Sequence, residues 1–230
     1  MPFSCRAWRE SLVENRETIA NRRPLKVRGQ RWVHELARWL VQVGITPNQA
    51  SSASMGFAAL GALAYGGSTV TDGFLKGALL CAAAVLIQLR LLANLLDGIM
   101  AVEERGKTSA GPIYNELPDR VADSLFLVAA GYAGGWSTLG WAAALLAAII
   151  AYLRVLGGSL GLKQDFRGPM AKQHRMAALC LGSIAAAFLP NFPILALTLS
   201  IIVLGGLVTI LRRTQHMAEA LNAESEARQL

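Results

Sequence analysis

The chain has 230 residues, of which 53% are hydrophobic and only 16% charged, against about 25% charged in an ordinary soluble domain. Its net charge is +7, with nine Lys or Arg in the first 45 positions, and its mean hydropathy is +0.40. Apolar runs of membrane-spanning length recur, which argues against a soluble bundle and against a nucleic-acid-binding protein. The basic residues read instead as cytoplasmic anchors that meet anionic lipid. Cys5, Cys81 and Cys180 form no CxxC and no disulfide framework. The long polar, Arg-rich start carries no pattern of a cleavable signal peptide.

Residues 1–45 form a cytoplasmic N-terminal segment. Its basic run from Arg22 to Arg28 is expected to meet anionic lipid or cover the cytoplasmic mouth of the protein. Trp32, Leu36, Trp39, Leu40 and Val43 fall at helical spacing, with Arg31, Glu35, Arg38 and Gln42 between them. This predicts an amphipathic helix lying in the membrane interface, or else a helix packed on a partner, with Gly44 as its terminator. Thr46, Pro47 and Gln49 then announce a helix start with a capping box. Six spans follow, at about 48–66, 74–101, 112–134, 138–160, 173–189 and 193–211, each long enough for a hydrocarbon core of roughly 30 Å.

The connections alternate between charged and nearly uncharged. Glu103 to Lys107, Lys163 to Arg175 and Arg212-Arg213 fall on the same side as the N-terminus, so the positive-inside rule puts both termini in the cytoplasm. The expected architecture is therefore an all-α integral membrane protein, with six transmembrane helices preceded by an interfacial helix. The membrane domain covers 46–213 and a polar cytoplasmic tail covers 214–230. The expected location is a prokaryotic inner membrane.

Where spans 2 and 3 meet, polar side chains recur at helical spacing. Asn94, Asp97, Gly98 and Ala101 share one stripe; Asn115, Asp119 and Asp123 share another, with Glu116 on the face of Asp119 and Asp123. Carboxylates near a bilayer are costly and are retained for function. Several converging on one place suggest a hard divalent cation and a phosphate-bearing substrate, with a spare carboxylate to take a proton from an incoming alcohol. Helix capping accounts well for Glu116 and partly for Asp119. It does not account for Asp97, which lies near a helix C-terminus where negative charge is unfavourable. Pro118 removes a hydrogen bond inside this second stripe.

The gapped pattern Asn94-x2-Asp97-Gly98-x2-Ala101-Val102-x8-Gly111-x3-Asn115-x3-Asp119 resembles the motif of the CDP-alcohol phosphotransferases, Asp-x2-Asp-Gly-x2-Ala-Arg-x8-Gly-x3-Asp-x3-Asp, without insertion. The Thr46-Pro47-Asn48 opening is similar as well, and the resemblance covers residues 45 to 212. It implies a six-helix membrane fold, usually a homodimer, that moves a phosphoryl-linked group from a CDP-alcohol to an acceptor alcohol and releases CMP. It also implies two divalent ions, Mg²⁺ or Mn²⁺, with Asp97 and Asp119 as ligands. Gly98, Ala101 and Gly111, with Asn94 and Asp97, would line the nucleotide site, and Asp119 is a candidate base. Asp123 is the second candidate for that role.

Three positions depart from the family. Its first and third aspartates are Asn94 and Asn115 here, and its arginine is Val102. Asparagine offers a carbonyl oxygen but no charge. Either Glu116 and Asp123 compensate as ligands, or one metal site is lost. Arg90 or Arg105 is placed to replace the arginine. Lys172 is similar to a lysine at the family's fifth span, and Arg154 to an arginine in its fourth. With Arg175 they form a candidate site for the acceptor's phosphate, or plain positive-inside anchors; His174 reads as a surface residue. The expected activity is phosphatidyl transfer from CDP-diacylglycerol to an acceptor alcohol in phospholipid biosynthesis, within a lipid membrane. A non-catalytic relative that binds nucleotide or lipid competes with it, and so, less well, does a small transporter using Asp97, Arg90 and Arg154.

Overall fold

The computed structural model describes residues 30–103, 111–162 and 165–227, and within it the side chains of 101–103, 111–115, 224 and 227 are left aside. The basic run from Arg22 to Arg28, Arg105, Lys163 and the side chains of Ala101, Val102 and Asn115 lie outside the described set. Among the described residues there are seven helices and no strand: α1 (Arg31–Gln42), α2 (Pro47–Ser68), α3 (Gly73–Glu103), α4 (Gly111–Ala133), α5 (Ser137–Ser159), α6 (Lys172–Phe188) and α7 (Ile194–Ala227).

The helix ends follow from local chemistry. Gly44 takes φ +84°, and Ile45 N donates to Leu40 O at 3.0 Å, so α1 closes with a left-handed glycine cap. The Thr46 hydroxyl accepts from Gln49 N while the Gln49 side chain accepts from Thr46 N at 2.9 Å, with Pro47 in the first turn. That reciprocal pair is the predicted capping box. At the other end of the bundle, Gly135 at φ +74° turns the chain from α4 into α5. A Cβ on Gly131 would stand 2.7 Å from Gly140 Cα, so only glycine lets these two helices approach so closely.

Among the described residues three helices are long and apolar enough to cross a bilayer, over Gly73–Met100, Ser137–Ser159 and Ile194–Ala223. The other predicted spans differ for visible reasons. α2 is built largely from Ala, Gly and Ser; α4 carries acids and Pro118; α6 has 17 residues, a length of about 26 Å. α7 runs without a break past Arg213 to Ala227, so the described part of the polar tail continues the last helix.

α2 packs on α3 and α4, α4 on α5, α3 on α6, and α7 on α5 and α6. The core between them holds Tyr65, Ile87, Phe126, Leu127, Met176, Leu179 and Leu199, all fully buried. Leu63, Leu145, Leu181, Leu204 and Leu211 face outward, an apolar exterior of the kind that meets lipid. α1 lies against the C-terminal part of α3. It buries Val33 and Ala37 beside Leu96, Ile99 and Met100, while Trp32, Trp39 and Val43 remain exposed. The predicted apolar stripe thus divides, with Leu36 and Leu40 joining the contact with α3 and the tryptophans turned away.

Candidate active site

Antiparallel alternation brings the starts of α2, α4 and α6 to the same end of the bundle as the ends of α3 and α5. Each contributes a polar side chain. α3 supplies Arg90, Asn94 and Asp97; α4 supplies Glu116, Asp119, Arg120 and Asp123; α5 supplies Arg154; α6 supplies Lys172 and Arg175; and α2 supplies Ser51.

Asp97 is 2% exposed. Its Oδ2 accepts from Ser51 Oγ at 2.6 Å, and its Oδ1 is buried with no hydrogen-bond partner. No basic side chain is within ion-pair distance of it among the described residues. Asp119 is the opposite case. Arg90 Nη2 donates to its Oδ1 at 2.9 Å and to its backbone carbonyl at 3.0 Å. Asn94 donates to the same Oδ1, and Lys172 Nζ to Oδ2.

Asp123, one turn further along α4, is 2% exposed. Arg175 Nη2 donates to its Oδ2 at 2.7 Å, and Arg90 Nη2 lies 2.9 Å from its Oδ1, a charge contact outside hydrogen-bond geometry. Arg90 and Arg175, 0% and 2% exposed, therefore tie α3 and α6 to the first turns of α4. Glu116 faces another way. It accepts from Arg120 on its own helix and from Arg154 of α5. The structure thus brings Asn94, Asp97, Asp119, Asp123, Lys172 and Arg175 together, and sets Glu116 and Arg154 apart as a neighbouring pair. Gly98 lies one residue after Asp97 on α3, and the backbone of Gly111 begins α4.

The segment before Lys172 is strapped to α7. Met170 N donates to Thr209 Oγ1 at 3.0 Å, and the buried Arg213 donates through Nε to Arg167 O at 2.9 Å and through Nη1 to Ile150 O at 3.0 Å. Gly168 takes φ +114° against Thr209, a backbone conformation that glycine alone adopts without strain.

No family model matches the chain. A phosphatidylinositol phosphate synthase of Mycolicibacterium smegmatis is 27% identical over 191 residues, which is 77% of this chain and 80% of that one. The chain is a homologue of this synthase, a CDP-alcohol phosphotransferase. Solved structures carry the same fold. The phosphatidylinositol phosphate synthase of Mycobacterium tuberculosis in complex with manganese and citrate gives a TM-score of 0.66 at 21% identity, over 80% of this chain and 88% of that one. The same protein with CDP-DAG bound gives 0.66 at 22%, over 82% and 94%.

With its three apolar helices, this homologue of a membrane enzyme is an integral membrane protein. Ser51 and Arg120 are the site residues that sequence reasoning does not find. Ser51 stands 46 positions from Asp97, and a lone serine in an Ala/Ser-rich first turn carries no periodic signal. Arg120 follows Asp119 directly, and its i,i+4 spacing from Glu116 is the one cue to it.

Proposed function

We propose that the protein transfers a phosphatidyl group from a CDP-alcohol, CDP-diacylglycerol, to an acceptor alcohol and releases CMP, in phospholipid biosynthesis. The observation that carries this reading is the contact of Asn94 with Asp119 across α3 and α4, with the buried Asp97 one turn further along α3 and Lys172 reaching in from α6. These residues stand at the motif spacing of a chain homologous to a phosphatidylinositol phosphate synthase. The fold neighbours bound to CDP-DAG and to manganese support the donor and a divalent cation, Mg²⁺ or Mn²⁺.

The residues present fit such a cation. Asp97 offers a buried oxygen with no other partner, whereas both oxygens of Asp119 already accept from side chains of the protein. Among the described residues no group of three His, Cys, Asp or Glu side chains is arranged around a metal. The remaining ligands would then be substrate phosphate oxygens and water, as Mg²⁺ commonly has them. When bound, the cation neutralises the diphosphate and stabilises the departing CMP.

The chain's own residues do the rest. Ser51 holds Asp97 in one orientation. Asn94 and Arg90 fix Asp119 Oδ1, which turns Oδ2 toward the Lys172 ammonium. The acceptor oxygen attacks the donor's phosphatidyl phosphorus and the bond from that phosphorus to the CMP oxygen breaks. Asp119 Oδ2 takes the hydroxyl proton, and Lys172 stabilises charge on the phosphoryl oxygens. Positioning and electrostatics supply most of the acceleration in such transfers.

Asn94, Gly98, Ala101 and Gly111 are assigned to the nucleotide. The resemblance assigns Asn115 to the metal, its side chain lying outside the described set. Asp123, buried between two arginines, braces α4 rather than meeting the metal or the substrate. Lys172 and, in the neighbouring pair, Arg154 are assigned to the acceptor, with Glu116 holding Arg154 until an anionic acceptor competes for it, while Arg175, buried against Asp123, is a brace rather than an acceptor contact. The reading includes six spans, α2 to α7, with both termini in the cytoplasm of a bacterial inner membrane. α1 lies in the interface with Trp32 and Trp39 at headgroup level, and two copies form a homodimer.

The deciding experiment incubates purified protein with Mn²⁺, CDP-diacylglycerol and a panel of alcohols led by inositol phosphate, and measures CMP. CMP release that requires an acceptor and is lost in Asp97→Asn is expected. Retained nucleotide binding with no CMP from any acceptor would replace this reading with that of a non-catalytic binding relative.

A further inference from the structure

The buried site contains its own cations. Its three carboxylates, Asp97, Asp119 and Asp123, are matched by three bases, Arg90, Lys172 and Arg175. Arg90 is the unusual member. It sits one helical turn before Asn94, is 0% exposed, and puts one nitrogen 2.9 Å from carboxylate oxygens of both Asp119 and Asp123. A guanidinium stays charged at any accessible pH, so this positive charge between the two acids is permanent. The position beside it on the same face, where a carboxylate would add to the negative charge, carries the neutral amide of Asn94, whose NH₂ group also donates to Asp119.

Asp97 is different, having no basic partner among the described residues and one bare oxygen. The donors therefore divide. Asp97 is open to a metal, while Asp119 and Asp123 are already neutralised by protein. One divalent ion added to this neutral set balances the dianion of a diphosphate diester. Two would leave an excess of positive charge in a buried site, which is costly.

We infer that this chain takes one divalent cation per protomer, at Asp97, and that the Arg90 guanidinium takes the electrostatic place of a second ion beside Asp119. The inference rests on the transferase reading for the identity of its substrate, but its test does not. The probe is Mn²⁺ alone. Purified detergent-solubilised protein is titrated with Mn²⁺ and the free ion is measured by electron paramagnetic resonance.

One ion per protomer is expected in the unaltered protein. In Asp97→Asn its binding weakens about tenfold or more. In the double variant Arg90→Gln with Asn94→Asp, which removes the internal cation and restores a carboxylate, a second ion binds. Arg90→Lys, which keeps the charge, stays at one. Two ions of similar affinity in the unaltered protein overturn the inference, and that measurement needs no variant to fold. A double variant that folds and still takes one ion overturns the assignment to Arg90.

Failure of the transferase reading looks different. Protein that binds one Mn²⁺ but releases no CMP with any acceptor sinks the reaction and leaves the ion count standing. Protein that releases CMP while holding two ions does the reverse.

Discussion

Removing Arg175 is the most demanding test of the ion-pair network that shapes the site. Arg175 is 2% exposed and donates to Asp123 at 2.7 Å. Arg175→Met keeps the apolar stem of the side chain but removes the guanidinium and leaves half of Asp123's charge compensation missing. Breaking one side of a buried pair costs about 3–5 kcal/mol, chiefly because the surviving charge stays buried. Arg90 remains 2.9 Å from the other oxygen of Asp123, so the lower end, about 3 kcal/mol, is expected. For a chain of this size that corresponds to a fall in Tm of roughly 6–12 °C.

The assay is built into the protein. Cys180 is buried in the core beside α3, and in a background with Cys5→Ser and Cys81→Ser a thiol-reactive dye reports its exposure as the detergent-solubilised protein is heated. Adding Asp123→Leu to Arg175→Met removes one charge of each sign and is expected to recover most of the loss, since a buried pair is often replaced by apolar residues at little net cost. A single variant within about 2 °C of the parent, or a double variant no better than the single, refutes the argument that these charges hold α4 to α6.

Ser51→Ala frees Asp97 to turn, and is expected to weaken Mn²⁺ binding about tenfold, in the manner of lost support around a metal ligand, while leaving Tm nearly unchanged. Equilibrium Mn²⁺ titration with a parallel melt checks both halves. Glu116→Gln is expected to leave Mn²⁺ affinity within about twofold, because its partners are Arg120 and Arg154, and to change the acceptor KM instead. A large loss of metal affinity would show that Glu116 reaches the cation. Gly168→Ala meets a positive φ of +114° and the side chain of Thr209. About 1–3 kcal/mol of destabilisation is expected, with reduced activity through misplacement of Lys172, measured by melting and by CMP release.

Much of the fold was legible because its punctuation is local. The capping box at Thr46, the glycine stop at Gly44 and the paired glycines before Trp136 each act within four residues, so these helix ends fall within a residue or two of those read from sequence, whereas the last helix, which meets no such stop, runs on past 211 to Ala227. α1 was legible as a helix but less so in orientation. Its apolar stripe looks continuous on a helical wheel, yet the small Ala37 and Val33 approach α3 while Trp32 and Trp39 face out. That division depends on the surface of α3, which no local pattern reports.

At the candidate site, the spacing from Asn94 to Asp119 predicts polar residues sharing one end of two helices, and Asn94 of α3 does meet Asp119 of α4 there. The pairing among them was not readable from sequence. Asp123 and Arg175 are 52 positions apart, and Glu116 and Arg154 are 38 apart. Which acid meets which base is decided by how α4 rotates against α3, α5 and α6. Helical spacing alone leaves both Glu116 and Asp123 as candidates beside the cation, whereas packing sets Glu116 against Arg120 and Arg154 and Asp123 against Arg90 and Arg175.

The match of acids to bases also bears on how the protein is made. A cluster of bare carboxylates would have to wait for metal before its helices could come together in a lipid environment. Here Arg90, Lys172 and Arg175 pair with the acids of α4, so the polar ends of α3, α4 and α6 are expected to associate in the bilayer with no ion required. On the proposed reading the helix bundle then stands before the cation or the nucleotide arrives, and a chelator is expected to empty the site without dismantling the protein.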